Sequence, residues 1–360
     1  MLQFLNLIPE KFGLDISDSS VKIIKLKKKR GGFILHSFNE IGIKHGIVEE
    51  GIIRDEESLV RIIKSAVKTV KGKKINTKYV VASLPEEKSF SQVIQVPKME
   101  DDELQSAVPF EAENYIPLAI DKVYLDFQKI SQDKNSSRLD LLISATPKAI
   151  VDSYVSCLKK AGLVPCALEL ESQAIARALV DAKEDVSPVI LIDFGGDNTD
   201  FIVFSGHSVR FTCSIPISSE LLTSAIRDNL SVSRAEADDL KVKYGLIGDK
   251  KSKQDASEAM SPILKNLVSQ IKKYINFYHD HVLQGYFPSD GKIEKIILCG
   301  GGANLKGLTN FLYGELKIPV ELGDPFLNPL LNKNKNKRPI SHEKSLSFAT
   351  AFGLALREDT

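Results

Sequence analysis

The chain is 360 residues long, 43% hydrophobic and 26% charged, with 48 Lys and Arg against 47 Asp and Glu. That composition belongs to a soluble globular protein of about two or three domains with ample core. A net charge of +1 gives no reason to expect nucleic acid, and no stretch reaches the ~18 apolar residues of a membrane span.

The first residues carry no basic leader, so a secretory signal is not expected. Leu2, Phe4, Leu5 and Ile8 would make one short helical turn packed on the body. Strands at 13–16, 20–25 and 33–43 form a meander. The basic run from Lys25 to Arg30 reads as a solvated strand end and turn. Residues 55–70 are an amphipathic helix, with Asp55 as N-cap and Ser58 in place of the glutamate of a full capping box. A buried strand follows at 79–84.

Beyond Pro85 the pattern changes. A half-exposed strand at 90–96 precedes a helix at 101–115 that starts in acids, as its positive end favours. Pro109 should kink or break it. Strands at 123–130 and 139–145 flank a polar loop, and a helix at 148–161 ends before Gly162. This block of two helices and three strands reads as a small domain inserted in the first half.

A second meander then repeats the first, with strands at 189–193, 199–204 and 209–215. Helices are expected at 218–230, 233–244 and 262–281, with a charged loop over 248–258. A strand at 295–298, a helix at 305–316 and a strand at 319–322 lead to a polar stretch, 328–338. An apolar helix at 346–356 closes the pattern. The four cysteines, Cys157, Cys166, Cys213 and Cys299, form no C-x-x-C pair, and the six histidines show no metal spacing. Reduced, buried thiols in a cytoplasmic compartment are expected.

Three motifs carry chemistry. Each meander begins with an apolar run ending in an acid, Asp15 or Asp193, followed by a tight polar turn. Such turns offer N–H groups and hydroxyls to phosphate, and such acids hold Mg²⁺ directly or through water. In the first turn Ser19 and Ser20 are candidate donors, and Lys22 could add charge. In the second, Gly195 and Gly196 permit a nest of N–H groups, Thr199 can hydrogen-bond phosphate, and Asn198 is a further candidate in the same turn. The third motif, Gly300-Gly301-Gly302, leads through Asn304 to Lys306 between a strand and a helix. Its glycines would let the backbone pass under a base or ribose. Asp238 and Lys241 share a helix face and could bracket a ribose hydroxyl. An ordinary hairpin, a β-α turn and a surface ion pair are the plain alternatives for each motif taken singly. Together they point to a duplicated fold that closes on a nucleotide.

These motifs resemble the actin-like ATPase superfamily. The string DDELQSAVPFEAENYIPLAIDKVYLDF resembles the type IV pilus assembly protein PilM family, whose members have the fold of the cell-division protein FtsA. GLDISDSSVKIIKL, LIDFGGDNTDFIVFSG, SRAEADDLKVKYG, LCGGGANLKGLTNFL and FATAFGLALRE match in order, so the resemblance runs from about residue 12 to 357. It implies an α/β, duplicated ribonuclease-H-like (actin-like ATPase) fold with a small inserted α+β domain. The first half would comprise 1–85, 166–187 and 343–360, the inserted domain 86–165 and the second half 188–342.

The resemblance also implies ATP and Mg²⁺ in the interdomain cleft. It further implies a cytoplasmic protein at the inner face of the inner membrane, held there through its partners. The expected partner is the N-terminal cytoplasmic tail of a PilN-like membrane protein, in a groove lined from 84–96 and 103–115. Other components of the pilus platform and motor would follow, and self-association stays open. One departure stands out. Ser17-Asp18 replaces the family's usual Gly-Ser. A carboxylate there repels phosphate unless it points away or joins the Mg²⁺ shell. Weakened nucleotide binding and weak or absent hydrolysis are expected. A scaffold without nucleotide, a superfamily kinase and an FtsA-like division protein are the alternatives.

Overall fold

The computed structural model describes residues 9–130, 137–181, 187–247, 251–283, 291–332 and 338–358. The expected N-terminal turn lies outside them. The first meander is β1 (Phe12–Ile16), β2 (Ser20–Lys29) and β3 (Gly32–Gly42). Lys25 is buried and bonded to Glu10 at 2.7 Å, so the start of the basic run is not solvated. A small hairpin, β4 (Val48–Glu49) and β5 (Ile52–Ile53), precedes α1 (Glu56–Lys68). Asp55 caps α1 by accepting the Ser58 N–H at 2.9 Å. Leu59, Ile63 and Ala66 bury its inner face. β6 (Lys71–Gly72) edges the sheet beside β3, and β7 (Tyr79–Leu84) runs parallel to β1.

The intervening block holds β8 (Phe90–Pro97), α2 (Asp101–Ala112), β9 (Val123–Lys129), β10 (Arg138–Pro147) and α3 (Lys148–Lys160). Pro109 falls in the last turn of α2, so the helix stops at Ala112, short of the expected 115. Leu104, Val108 and Ala112 pack on Ile94, Val96, Leu141 and Ile143 as the core of this block. Then come β11 (Val164–Leu170) and α4 (Glu171–Leu179), which sequence periodicity had not marked.

The second meander is β12 (Val189–Phe194), β13 (Thr199–Ser205) and β14 (Ser208–Ile215). Helices α5 (Ser219–Leu230), α6 (Arg234–Tyr244) and α7 (Lys251–Leu283) follow. The loop expected over 248–258 is therefore wrong from 251 onward. Ala256, Ala259, Met260, Leu264, Leu267 and Ile271 recur at helical spacing and are buried. That stripe carries the helix through Pro262 despite the donor it lacks. β15 (Lys295–Cys299), α8 (Leu308–Leu316), β16 (Val320–Leu322), α9 (His342–Leu346) and α10 (Ala349–Leu356) complete the chain. α8 starts later than expected because Gly307 takes φ +86 at its cap.

The strands form two main sheets. One has the order β11-β7-β1-β2-β3-β6, the other β16-β15-β12-β13-β14-β8-β10-β9. Each contains an antiparallel meander whose first strand runs parallel to a later one, β7 for β1 and β15 for β12. The fold is thus duplicated. The β8–β10–β9 ribbon joins the second sheet through one register pair, Phe211 with Gln92. α10 packs on β1 and crosses α4 backbone to backbone. A Cβ on Gly353 would lie 1.7 Å from the Ala174 carbonyl oxygen. Asp15 on β1 and Asp193 on β12 line one cleft.

Candidate functional site

The cleft is lined by Asp15 and 17–20 from the first hairpin, Asp193 and 195–198 from the second, and Gly300–Gly302 after β15. In the first hairpin, Lys22 stands across the ladder from Asp15, its Nζ 3.5 Å from the carboxylate. The Ser83 hydroxyl donates to the other Asp15 oxygen at 3.0 Å and accepts the Ile16 N–H. The acid is therefore oriented by both neighbouring strands. Within the turn, the Ser20 N–H donates to Ser17 Oγ at 3.2 Å. The Ser17 hydroxyl thus occupies the Ser20 N–H within the turn. Ser19 stays exposed and faces the opposite turn. A Cβ on Gly196 would lie 3.3 Å from its hydroxyl.

In the second hairpin, the Gly195 and Gly196 carbonyls accept the Ser219 and Glu220 N–H groups at the start of α5. Asn198 lines the cleft while its amide donates to Ser214 at 3.1 Å. Thr199 is fully buried and its hydroxyl donates to the Ile217 carbonyl, so it braces the meander and does not face the cleft. The glycine triplet packs on this hairpin. Gly300 has φ +83, and a Cβ there would sit 2.2 Å from Asp193 Oδ1. A Cβ on Gly302 would strike Phe194. Only Gly301 faces open space. The close approach to Asp193 and Phe194, more than clearance for a base, explains the outer two glycines.

Four other expected residues also serve the frame. Lys241 Nζ bonds Thr223 at 2.6 Å, Ser219 at 2.9 Å and Asp238 at 3.0 Å, locking α6 to the start of α5. Asn304 donates to the Gly301 and Glu343 carbonyls, and Lys306 to the Lys243 carbonyl at 2.8 Å. None of Asp238, Lys241, Asn304 or Lys306 lines the cleft. Their backbone and charge partners explain why: each long side chain already has a carbonyl, hydroxyl or opposite charge within reach.

The structure adds acids that sequence reading missed. Asp200, Glu171, Glu87 and Asp197 line the same cleft. Asp200 lies opposite Asp193 in the ladder, the position that Lys22 holds opposite Asp15. Comparing the two repeats would have found it. Glu171 begins α4, which no motif marked. Burial, with Asp15, Asp200 and Asp193 close by, holds the Glu171 carboxyl well above the usual carboxylate range. Burial and neighbouring Glu86 do the same to Asp200. Burial pushes Asp193 up to about 6, with Lys22 opposing and Asp15 reinforcing. Glu87 rises to about 7 by burial and the nearby Asp18.

Asp200 Oδ1 is buried with no hydrogen-bond partner. Among the described residues, no three Asp, Glu, His or Cys side chains form a ready metal cage. The donor set suits a hard divalent cation that keeps several waters and is completed by phosphate oxygens. Asp15 and Asp193 would hold it, and Gly301 leaves room beside them.

A second groove, of about 850 Å³, runs between the β9–β10 ribbon and the β11–α4–α10 side. Of the segments 84–96 and 103–115, Leu84 alone lines this second groove. Val93, Ile94, Val96, Leu104 and Val108 are buried instead. The lining comes from Tyr124, Gln128, Leu142, Leu168, Arg177 and Arg357, among others.

Two meander-led halves that meet on an acid-lined cleft define the actin-like ATPase fold. The chain belongs to the type IV pilus assembly protein PilM family, whose family model matches residues 13–359. A solved PilM-PilN type IV pilus biogenesis complex is similar over 97% of this chain and 98% of that one, with TM-score 0.81 and 25% identity. MreB5 of Spiroplasma citri bound to AMPPNP covers 90% of this chain and 94% of its own at TM-score 0.54 and 14% identity, a likeness of fold alone. Cell division protein FtsA of Neisseria meningitidis serogroup B is 24% identical over 221 residues, 57% of this chain. The match spans 50% of that relative's length. Among the described residues no helix is long and apolar enough to cross a membrane.

Proposed function

We propose that this chain is a nucleotide-binding scaffold of the type IV pilus assembly platform. It binds ATP with Mg²⁺ in the cleft and holds the N-terminal cytoplasmic tail of a PilN-like membrane protein in the second groove. One observation carries the nucleotide reading. Two acid-bearing turns, related by the fold's duplication, face each other across a space that Gly301 leaves open. When bound, Mg²⁺ would neutralise phosphate charge between the halves. Lys22 and Ser83 hold Asp15 in place, and the Gly300 backbone packs against Asp193. Hydrolysis is weak or absent on this reading. The tail reading rests on the similar PilM-PilN complex and on a groove large enough for an extended peptide. The protein would then sit at the cytoplasmic face of the inner membrane through its partner.

Ser17 favours a second reading, a scaffold without nucleotide, because its hydroxyl closes off the Ser20 N–H. Isothermal titration of Mg-ATP, with and without a synthetic tail peptide, separates the two. ATP heat that shifts with peptide supports the first, and linkage then requires an equal shift in peptide affinity. Peptide binding with no ATP heat in either state supports the second.

A further inference from the structure

Asp18 breaks the family pattern, and the structure shows where its charge goes. Its carboxylate turns onto two successive backbone N–H groups, Glu50 at 2.6 Å and Gly51 at 3.0 Å. Both residues have positive φ, +48 for Glu50 and +70 for Gly51. Paired N–H groups in such a turn form a concavity that binds anions. Asp18 is the internal anion seated in it, and it holds the non-glycine Glu50 in a strained conformation.

That turn bears on the chain leaving the first sheet. A Cβ on Gly51 would lie 2.4 Å from Pro85 Cβ. Lys88 pairs with Glu50 at 2.9 Å. The Tyr154 hydroxyl, from α3, donates to the Gly51 carbonyl at 3.1 Å. Pro85 and Lys88 lie between β7 and β8, where the β8–α3 block begins. Asp18, Gly51, Pro85 and Glu87 all border the cleft. One side chain therefore ties the first candidate phosphate turn to the segment from which that block hangs.

We infer that Asp18 is a positioning residue with two states, docked on the Glu50 and Gly51 N–H groups or swung toward the cleft, and that an anionic nucleotide drives it into the docked state. The inference rests on the nucleotide reading above. A swung-in carboxylate lies beside phosphate and is repelled, whereas the docked one has its charge met by two donors. The nucleotide thus favours one state by charge alone. The docked state fixes the 50–51 turn on Pro85 and α3, and so the orientation of the β8–α3 block. A ligand without phosphate charge exerts no such pull.

Hydrogen–deuterium exchange at the 48–54 segment, read by mass spectrometry, tests this in the full chain. With saturating Mg-ATP the Glu50 and Gly51 amides should exchange at least about threefold more slowly, because the docked population rises. Adenosine should leave them unchanged. In Asp18→Ser they should exchange fast with or without Mg-ATP. Asp18→Asn, which keeps an oxygen but loses the charge, should also give no Mg-ATP response. Bound Mg-ATP with unchanged exchange in the unmodified protein overturns the inference while leaving the nucleotide reading intact. Equal slowing by adenosine also overturns it. No Mg-ATP heat in the unmodified protein or either variant ends both.

Discussion

Asp193 and Asp200 stand directly opposite each other on β12 and β13, in the register that pairs Asp15 with Lys22 in the first half. Like charges in that relation destabilise an antiparallel pair by up to about 1 kcal/mol. Duplication has thus produced one charge-balanced hairpin and one that lacks a cation. Asp200 also has an oxygen without a partner.

The first prediction concerns this pair without ligand. Asp193 titrates at about 6 and Asp200 well above the carboxylate range, both chiefly through burial. Where the unfolded chain has released these protons, the native protein still holds them. The pair's contribution to stability is therefore most favourable below about pH 4 and falls as pH rises through 6. Asp200→Asn puts a neutral side chain there without the native state having to hold a proton that the unfolded chain has released. At about pH 7.5 in EDTA it should melt a few degrees higher than the parent, about 1 kcal/mol. The gap should narrow as pH falls to about 4.5. Calorimetry across that range checks this, and parallel curves would show that the pair carries no strain.

A divalent cation should reverse the sign. Mg²⁺ needs Asp193 ionised, so protons compete with it below about 6. Saturating MgCl₂ should raise the melting temperature more at about pH 8 than at about pH 5.5, and Asp193→Asn should abolish the difference. A stabilisation independent of pH would place the ion elsewhere.

How much of this was readable beforehand depended on period and repetition. The two meanders were legible because each acid ends an apolar run and a second run follows. The α2 helix and the β8–β10 strands were placed nearly as observed because their buried positions recur at strand or helix period. α4 was not, because its buried residues are Ser172, Ala174, Ile175, Ala176 and Ala178, with Ile175 the one large apolar side chain among them. Missing α4 hid Glu171. Asp200 was missed for another reason: an acid after Thr199 reads as solvent-facing until the ladder places it against Asp193. Thr199, Lys241 and Lys306 were legible as polar candidates but not as braces of the frame. Their chemistry suits phosphate or ribose, yet it is used within the frame, and only three-dimensional neighbours reveal that.

Gly300 should tolerate no side chain. Its φ of +83 disfavours any L residue, and a Cβ would lie 2.2 Å from Asp193 Oδ1 and 2.5 Å from the Phe194 carbonyl. Gly300→Ala should cost about 2 kcal/mol or more, through strained backbone and displaced Asp193. Gly301→Ala meets nothing within 4 Å in the protein. It should be near neutral for folding and should weaken Mg-ATP binding only if nucleotide passes close to it. Urea unfolding of both variants, followed by titration of the folded one, gives the comparison. Equal stability of the two would refute the packing role assigned to Gly300.

The seam between the second sheet and the β8–β9 ribbon should depend on a buried charge pair. Only Phe211 and Gln92 join β14 to β8 in the ladder. Beside them, Arg210 on β14 reaches Asp140 on β10 at 3.6 Å, and both residues are buried. Arg210 Nε donates to the Ser205 carbonyl at 2.7 Å, and Gln95 donates to Asp140 at 3.0 Å. Burial lowers the Arg210 pKa and Asp140 opposes that, as expected for a guanidinium held by its counter-ion. Removing one partner leaves the other charged in a dry site, at a cost of about 3–5 kcal/mol. Arg210→Met should show that loss in urea unfolding. Arg210→Met with Asp140→Leu should recover most of it, since paired apolar replacements of buried ion pairs are often neutral or stabilising. If the double variant is as unstable as the single one, the hydrogen bonds to the 205–206 turn, and not the ion pair, hold the ribbon to the sheet.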